Sequence, residues 1–180
     1  MNKHIFIIIV VLAISFFCKA QSLEQFTATM QCIGTTGNSY LSISQKKSMS
    51  ETEAKTNKTA IDFALIMAKD WSGEQLQWYN MSGKDNKTPK ALNGTATRIN
   101  AISFDKDQFD QCKTNQDMQR MTGHITNNSF SHYATISDNL KQGVKYHCFI
   151  VQLNDGKRAL IWVEEGEKNE IQLVVKIQAS

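Results

Sequence analysis

The sequence predicts a mainly β protein, an antiparallel β-sandwich with one or two short helices. Past residue 21, apolar and polar residues mostly alternate, which is the period of a strand with one buried face. The last third of the chain contains three segments rich in branched and aromatic residues, separated by turn sequences. Helical signals are confined to residues 48–57 and 107–121.

Five segments before residue 105 have strand character. They are residues 26–32, 40–43, 60–67, 75–80 and 96–104. The segment 60–67 is almost continuously apolar, which is typical of a central strand covered on both faces.

The C-terminal third predicts a three-stranded antiparallel meander. Its strands are residues 144–153, 158–163 and 170–177. Asp155-Gly156 joins the first two and supplies the left-handed conformation that a tight hairpin needs. Gly166 provides the bend before the third strand.

Two segments have helical signals instead. In the first, Ser50 and Glu53 have the spacing of a capping box, in which each side chain pairs with the other residue's backbone N–H. In the second, Phe109 and Cys112 share one stripe, so a short helix is predicted.

Residues 1–20 have the layout of a secretory signal peptide. A short basic start precedes the apolar run of residues 5–17, which is too short to span a bilayer comfortably. Cys18 and Ala20 place small side chains at the −3 and −1 positions of a cleavage site. We therefore expect cleavage after Ala20, a periplasmic or secreted protein, and a single β-rich domain over residues 21–180.

Lipid anchoring through Cys18 is the alternative to release. Lipid-modified bacterial cysteines normally follow a small residue, but the bulky Phe17 precedes Cys18. We therefore expect the unanchored form. No later segment approaches the ~20 apolar residues that a transmembrane span needs.

The charge distribution argues against nucleic-acid binding. Loss of Lys3 and Lys19 with the signal leaves 18 of the 20 basic residues against 17 acidic ones. These charges are scattered, and Lys46-Lys47 is the longest basic run. A nucleic-acid binder needs a concentrated basic face.

Three cysteines remain after processing, Cys32, Cys112 and Cys148. In an oxidising compartment they permit one disulfide and one leftover thiol, with three possible pairings. The strand patterns around Cys32 and Cys148 point both side chains inward, and buried cysteines commonly act as small hydrophobes. We expect at most one disulfide and no catalytic thiol.

An acidic cluster precedes the second helical segment. Asp105, Asp107 and Asp110 alternate with other residues, as calcium ligands can. The spacing and glycine of an EF-hand are missing, however. The simpler interpretation is the acidic first turn of a helix, which the helix dipole favours.

Four side chains of the types that can bind zinc lie in one stretch of the sequence. They are His124, His132, His147 and Cys148. Their separations match no compact zinc motif, and adjacent residues such as His147 and Cys148 point to opposite faces of a strand. The sequence also lacks a nucleophile elbow, a zinc-protease helix and a phosphate loop. We expect no metal, no cofactor and no catalytic residues.

Aromatic residues indicate a candidate binding site. Trp71, Trp78 and Tyr79 lie close together in the sequence, and aromatic faces can stack on the apolar faces of sugar rings. A sandwich core also needs large aromatic residues. The core interpretation is therefore favoured for Trp78, whereas the two interpretations are nearly balanced for Trp71, which lies in a polar turn.

Several short stretches carry a resemblance to known proteins. They are residues 18–21, 59–63, 88–89, 139–146, 155–157, 160–163 and 175–178. In these stretches the chain resembles a group of small secreted proteins and lipoproteins of Bacteroidetes, mostly of unassigned function. The resemblance implies a compact β-sandwich-like domain in a Gram-negative envelope, and it transfers no functional residues. The missing lipobox departs from the lipoproteins of this group.

We therefore expect an exported, non-catalytic binding domain whose ligand is a glycan or an envelope component. The loops at residues 68–74 and 80–94 are the expected contact points, because they are polar and the first contains Trp71. The alternative is a structural or inhibitory protein-interaction domain, with no small-molecule ligand, that acts by strand addition or surface complementarity. A hydrolase would instead show a deep cleft with perturbed carboxylates.

Overall fold

The computed structural model describes residues 21–70, 73–82, 92, 94–137, 145–165 and 170–180. The predicted signal peptide, Trp71 and most of the 80–94 segment lie outside the described residues. Within the described residues, no helix has the length and apolar character needed to cross a membrane.

Ten strands in the described chain form two antiparallel sheets of five strands each. The first sheet has the order β1 (Glu24–Gln31), β10 (Glu170–Ile177), β9 (Arg158–Glu165), β8 (Cys148–Gln152), β6 (Arg98–Ile102). The second has the order β3 (Lys47–Met49), β2 (Tyr40–Ser42), β4 (Phe63–Asp70), β5 (Gly73–Asn80), β7 (Tyr133–Ser137). The prediction of a mainly β, antiparallel sandwich is confirmed.

The main apolar core lies between the two sheets. Because side chains alternate along a strand, Leu173 and Val175 of β10 point into this core, whereas Val174 points to the opposite face. Phe63 enters the core from the second sheet and Phe149 enters it from the first. The alternating pattern of the sequence therefore produces two sheets that share one interior.

Three short α-helices in the described chain lie against the outer faces of the sheets. They are α1 (Glu51–Thr56), α2 (Lys106–Gln111) and α3 (Asn115–Thr122). Ala54 of α1 packs in a cluster on the outside of the second sheet. Phe109 of α2 and Met118 of α3 pack on the outside of the first sheet.

Each of these helices begins with a capping box. The predicted pair, Ser50 and Glu53, forms the box of α1. Asp105 is the N-cap of α2 and Asp107 lies in its first turn, which confirms the helical interpretation of the acidic cluster. The spacing of the two polar residues in each capping box therefore determines where the helix begins.

The predicted C-terminal meander is confirmed. Strands β8, β9 and β10 pair in sequence order, each antiparallel to the next. In the first hairpin Gly156 has a φ of 85°, in the left-handed region, and Asp155 Oδ1 accepts a hydrogen bond from Lys157 N at 3.0 Å. The second connection, residues 166–169, lies outside the described residues.

Some element boundaries differ from the sequence predictions. Strand β4 begins at Phe63 rather than at residue 60, because Lys58–Ala60 forms a 3₁₀ turn. Residues 107–121 form two helices rather than one, since Cys112 leaves the helical conformation with a ψ of 92° and Thr114 caps a new helix. Strands β3 and β7 were not predicted.

Lys176 holds the end of α2 against the first sheet. Its side chain starts from β10, and the residue is only 6% exposed. The ammonium Nζ donates to the carbonyl oxygens of Phe109 at 2.7 Å, Cys112 at 2.9 Å and Asp110 at 3.3 Å. Cys112 N also donates to Phe109 O at 3.2 Å, but among the described backbone groups none donates to Asp110 O or Cys112 O, as is usual for carbonyls at a helix end. Burial lowers the pKa of Lys176, and the three carbonyls compensate the buried cation.

We expect Lys176→Met to lower the free energy of unfolding by about 2 kcal/mol, because it leaves the carbonyl oxygens of Asp110 and Cys112 without a donor while keeping a similar apolar stem. Urea denaturation of the variant and the wild type measures this loss. Lys113→Met is the matched control, since Lys113 is exposed, and we expect it to change stability by less than about 0.5 kcal/mol. Equal effects of the two substitutions would contradict the proposed anchoring role.

Candidate functional site

Trp78 and Tyr79 are adjacent in β5 and therefore point to opposite faces of the second sheet. Trp78 points inward and is fully buried. Its ring lies 6.2 Å from that of Phe63 and 6.4 Å from that of Phe149, so it bridges the two sheets. The structure thus places Trp78 in the core, with no ring face open to solvent.

Tyr79 belongs to a row of residues that crosses the outer face of the second sheet. The strand registers pair Tyr40 with Ala64, Ala64 with Tyr79, and Tyr79 with Tyr133. Tyr40 and Tyr79 are buried, but Tyr133 at the end of the row is 53% exposed. The predicted binding residue therefore has an exposed tyrosine as its cross-strand neighbour.

Neutral side chains continue this row along β4, β5 and β7; Ala64, Ile66 and Gln77 are buried, whereas Ala68, Gln75 and Thr135 are half-buried. We call this surface the tyrosine face, and it consists of Ala64, Ile66, Ala68, Gln75, Gln77, Tyr79, Tyr133 and Thr135. Gln77 Nε2 donates to Gln75 Oε1 at 2.7 Å and to Thr135 Oγ1 at 3.5 Å. Gln75 and Thr135 are half-buried, so both also contact solvent. None of these residues carries a charge.

The segment 68–74, predicted as a binding loop, consists largely of strand. The β4–β5 pairing continues to Asp70 and Gly73, so only residues 71 and 72 connect the two strands. Gly73 has a φ of 128°, a conformation that glycine adopts without strain. Trp71 is one of the two connecting residues and lies outside the described residues, so its binding role stays a prediction.

A buried polar network fixes the beginning and the end of the 80–94 segment. Asp62 accepts hydrogen bonds from Ile43 N at 2.8 Å, from Thr97 Oγ1 at 2.6 Å and from Thr95 Oγ1. Asn80 Nδ2 donates to the carbonyl oxygens of Asp62, Thr95 and Thr97. These contacts bind the chain after residue 94 to the end of β5.

Burial raises the pKa of Asp62, while the hydrogen bonds from its three donors oppose the shift. A perturbed carboxylate in an open cleft would suggest acid–base chemistry. Asp62, however, is buried and its oxygens accept bonds from neighbouring parts of the chain. Its contacts are those of a structural group.

A cleft lies beside the edge strand β6 and has a volume of about 450 Å³. We call it the β6 cleft. Its walls are Asn100, Ala101, Ile102, Ser103, Phe104, Gln108, His124, Ile125 and Ser129. Among these described residues, only His124 has a titratable side chain. The cleft is therefore suited to a neutral ligand.

The three described cysteines are buried and free. The prediction that Cys32 faces inward is confirmed, since it lies in the core between the sheets. Cys148 is buried as well, but it points to the outer face of the first sheet, where the helices cover it. Burial raises the pKa of Cys32 and of Cys112 to about 11, and that of Cys148 to about 12. Because the thiolate is the reactive form, these thiols are poor nucleophiles at neutral pH.

The histidines do not gather around Cys148. The ring of His147 stacks on Trp162 at a centroid distance of 5.4 Å, and Trp162 is the cross-strand partner of Cys148 in the cluster beneath the helices. Nowhere in the described ranges do three or more His, Cys, Asp or Glu side chains converge as metal ligands would. Expectations about metals and cofactors stay predictions.

Sequence reasoning missed Tyr133 and the residues of the β6 cleft. Tyr133, Ala134, Thr135 and Ile136 alternate between the outer and inner faces of the second sheet. This period of two was a usable signal for β7. No comparable local signal marks the cleft, because its walls come from three separate stretches of the chain.

The fold defines a class: a mainly β domain made of two antiparallel sheets with short helices outside them. No protein-family model matches the sequence, and no curated protein matches it either. A solved structure with a similar fold is that of a DUF4466 family protein from Parabacteroides merdae, a member of an uncharacterised family. Its source is consistent with the resemblance to proteins of Bacteroidetes.

The similarity to this protein is confined to the fold. The TM-score is 0.55 at 16% sequence identity, and the match covers 86% of this chain and 54% of the other. The chain therefore spans about half the length of the solved protein.

Proposed function

We propose that this chain is an exported, non-catalytic binding domain and that its ligand is a neutral glycan bound on the tyrosine face. The observation that carries the proposal is the exposed ring of Tyr133 beside a strip of neutral amide and hydroxyl side chains. Export is supported by the signal-peptide layout of residues 1–20.

The chemistry of this face suits a sugar. An aromatic ring can pack on the apolar face of a pyranose, as Tyr133 would from the edge strand β7. Thr135, two residues along β7, offers a hydroxyl group, and Gln75, which accepts a hydrogen bond from Gln77 opposite Thr135, offers an amide group. Both groups can pair with sugar hydroxyls. The named residues of this face carry no charge, which favours a neutral glycan over an acidic one.

A non-catalytic role is supported by the placement of the titratable groups. Asp62, whose pKa burial raises, is enclosed by its own hydrogen bonds. The carboxylates of Asp110 and Asp117 pair with neighbouring basic side chains on the exposed sides of their helices. Neither arrangement brings a pair of carboxylates to the β6 cleft or to the tyrosine face.

Binding of the purified residues 21–180 to an array of plant, host and bacterial polysaccharides tests the proposal. We expect any glycan that binds the wild type to bind the Tyr133→Ala variant about tenfold more weakly, because the variant loses one stacking contact. Tyr133→Phe is the matched control, because it keeps the exposed aromatic ring and removes only the hydroxyl group. We expect its affinity to match that of the wild type.

Two outcomes would count against the proposal. A flat array obtained with folded protein would remove the glycan as ligand, and equal binding by Tyr133→Ala would remove the tyrosine face as site. Trp71→Ala belongs in the same experiment, because the sequence predicts a stacking role for Trp71. Loss of binding in Trp71→Ala alone would move the site to the β4–β5 connection.

A protein-interaction role is the second candidate, and a specific observation favours it. Part of the edge of β6 carries backbone groups that face the β6 cleft. An extended chain can pair with such an edge by strand addition.

A further inference from the structure

The edge of β6 is paired at one residue with another segment of the chain. Ile99 N donates to Ser131 O at 2.9 Å, and Ser131 N donates to Ile99 O at 2.9 Å. Because both backbone groups of a residue point to the same side of an antiparallel strand, those of Ile99 face away from β8. The strand order places β6 at the end of the first sheet.

The same alternation applies to Ala101, two residues further along β6. Its N–H and C=O face the cleft side, while Asn100 and Ile102 direct theirs to Ile150 and Cys148 of β8. No described residue pairs with the outward N–H or C=O of Ala101. Ala101 is itself part of the cleft wall.

The segment that pairs with Ile99 turns away before it reaches Ala101. An antiparallel chain running back from Ser131 would place residue 129 opposite Ala101, but Asn127–Ser129 forms a 3₁₀ turn. Ser129 thereby becomes the opposite wall of the β6 cleft. The cleft between β6 and this turn has a volume of about 450 Å³, and both Ala101 and Ser129 line it.

We propose that the β6 cleft binds a short extended peptide from a partner protein, which adds to the first sheet by pairing with Ala101. The pairing of Ser131 with Ile99 shows that this edge accepts an extended backbone. Ser131 bounds the site at one end and α2, which begins at Lys106, bounds it at the other. This leaves space for roughly three to four residues in extended conformation.

The walls define the side chains that such a peptide carries. Polar contacts come from Asn100, Ser103, Gln108 and Ser129, and apolar contacts come from Ile102, Phe104 and Ile125. A neutral peptide with small polar and apolar residues fits these walls. Strand β6 of a second copy does not fit this site. A full strand would have to pair along the whole edge of β6, and Ser131 already pairs with Ile99 there.

The probe is a linear heptapeptide selected from a phage-displayed library for binding to the purified residues 21–180. A selected peptide is then synthesised with a single N-methyl group at each position in turn. Strand addition predicts that methylation weakens binding at alternate residues, those whose N–H points to β6, by about tenfold. Binding through side chains alone predicts no alternation and would overturn the proposal.

A substitution in the protein gives an independent readout. Ala101→Pro removes the N–H that faces the cleft and no ladder bond to β8, so an edge strand can tolerate it. We expect it to weaken peptide binding by about tenfold. Ala101→Gly, which keeps the N–H, is the matched control and should bind as the wild type does. Unchanged binding by a folded Ala101→Pro variant would contradict the proposal.

Amide exchange followed by NMR extends the test to the unmodified protein. Without peptide, the amide of Ala101 should exchange faster than that of Asn100, and peptide should slow it. The absence of any selected peptide, or exchange that peptide leaves unchanged, would overturn the proposal. Concentration-dependent dimerisation that Ala101→Pro abolishes would assign the edge to a second copy and overturn it too.

This proposal does not depend on the tyrosine face. Ala101→Pro should leave glycan binding intact, and Tyr133→Ala should leave peptide binding intact. The glycan proposal and the peptide proposal can therefore be contradicted independently of each other.

Discussion

We expect Trp78→Ala to lower the free energy of unfolding by about 3–5 kcal/mol, the range observed for large-to-small substitutions of buried aromatic residues. Trp78 is fully buried and its ring contacts Phe63 of its own sheet and Phe149 of the other. Truncation would leave a cavity where the two sheets meet. Urea denaturation followed by circular dichroism measures the loss.

Two further variants separate this core role from a binding role. Trp78→Phe keeps an aromatic ring between Phe63 and Phe149, so we expect a smaller loss than for Trp78→Ala. Tyr133→Ala changes an exposed side chain and should alter stability by less than about 0.5 kcal/mol. A loss below about 1 kcal/mol for Trp78→Ala would contradict the core role.

This difference between neighbours explains a limit of the sequence prediction. Alternation shows that Trp78 and Tyr79 face opposite ways, but it does not show which face is inside. That choice depends on Phe149, a residue of the other sheet. The sequence therefore favoured a core position for Trp78, and the packing of the two sheets shows that Trp78 rather than Tyr79 lies between them.

Features determined by neighbouring residues were predicted well. The capping box of Ser50 and Glu53 and the Asp155-Gly156 turn form within a few residues, so their spacing is sufficient to define them. The strand β7 was missed although its residues alternate, because it is short and a register shift interrupts its pairing with β5. A bulge of this kind weakens the regular pattern.

Both candidate sites depend on contacts between distant parts of the chain. Tyr133 becomes the exposed end of a row only because β7 is the edge of the second sheet. Ala101 faces a cleft only because Ser131 pairs with Ile99 and the chain before it turns away. No local pattern encodes these two facts, so sequence periodicity did not reveal the sites.

The buried Asp62 network gives the second large effect that we expect. Asp62→Ala removes the acceptor of the hydrogen bonds from Ile43 N, Thr95 and Thr97. The two hydroxyl groups can still bond to each other, at 2.7 Å, but Ile43 N–H stays buried without a partner. We expect a loss of about 3 kcal/mol in the free energy of unfolding at pH 7. A loss within experimental error would contradict the role of the network.

Asp62→Asn is the conservative control, and its stability relative to the wild type should depend on pH. The side chain keeps its shape and can still accept one hydrogen bond, while the threonine hydroxyls can rotate to accept from its amide. We expect it to retain more stability than Asp62→Ala does at pH 7. The asparagine does not titrate, so a comparison with the wild type isolates the proton of Asp62.

Burial raises the pKa of Asp62 in the folded state above its ordinary value of 3.8. A carboxyl group with a raised pKa stabilises the fold in its protonated form. That contribution is fully present below the unfolded-state pKa and is lost as the pH rises through the folded-state pKa. The free energy of unfolding of the wild type, minus that of Asp62→Asn, should therefore fall as the pH rises from below 3.8 towards neutrality. A difference that grows with pH in urea denaturation would mean that the three donors outweigh burial.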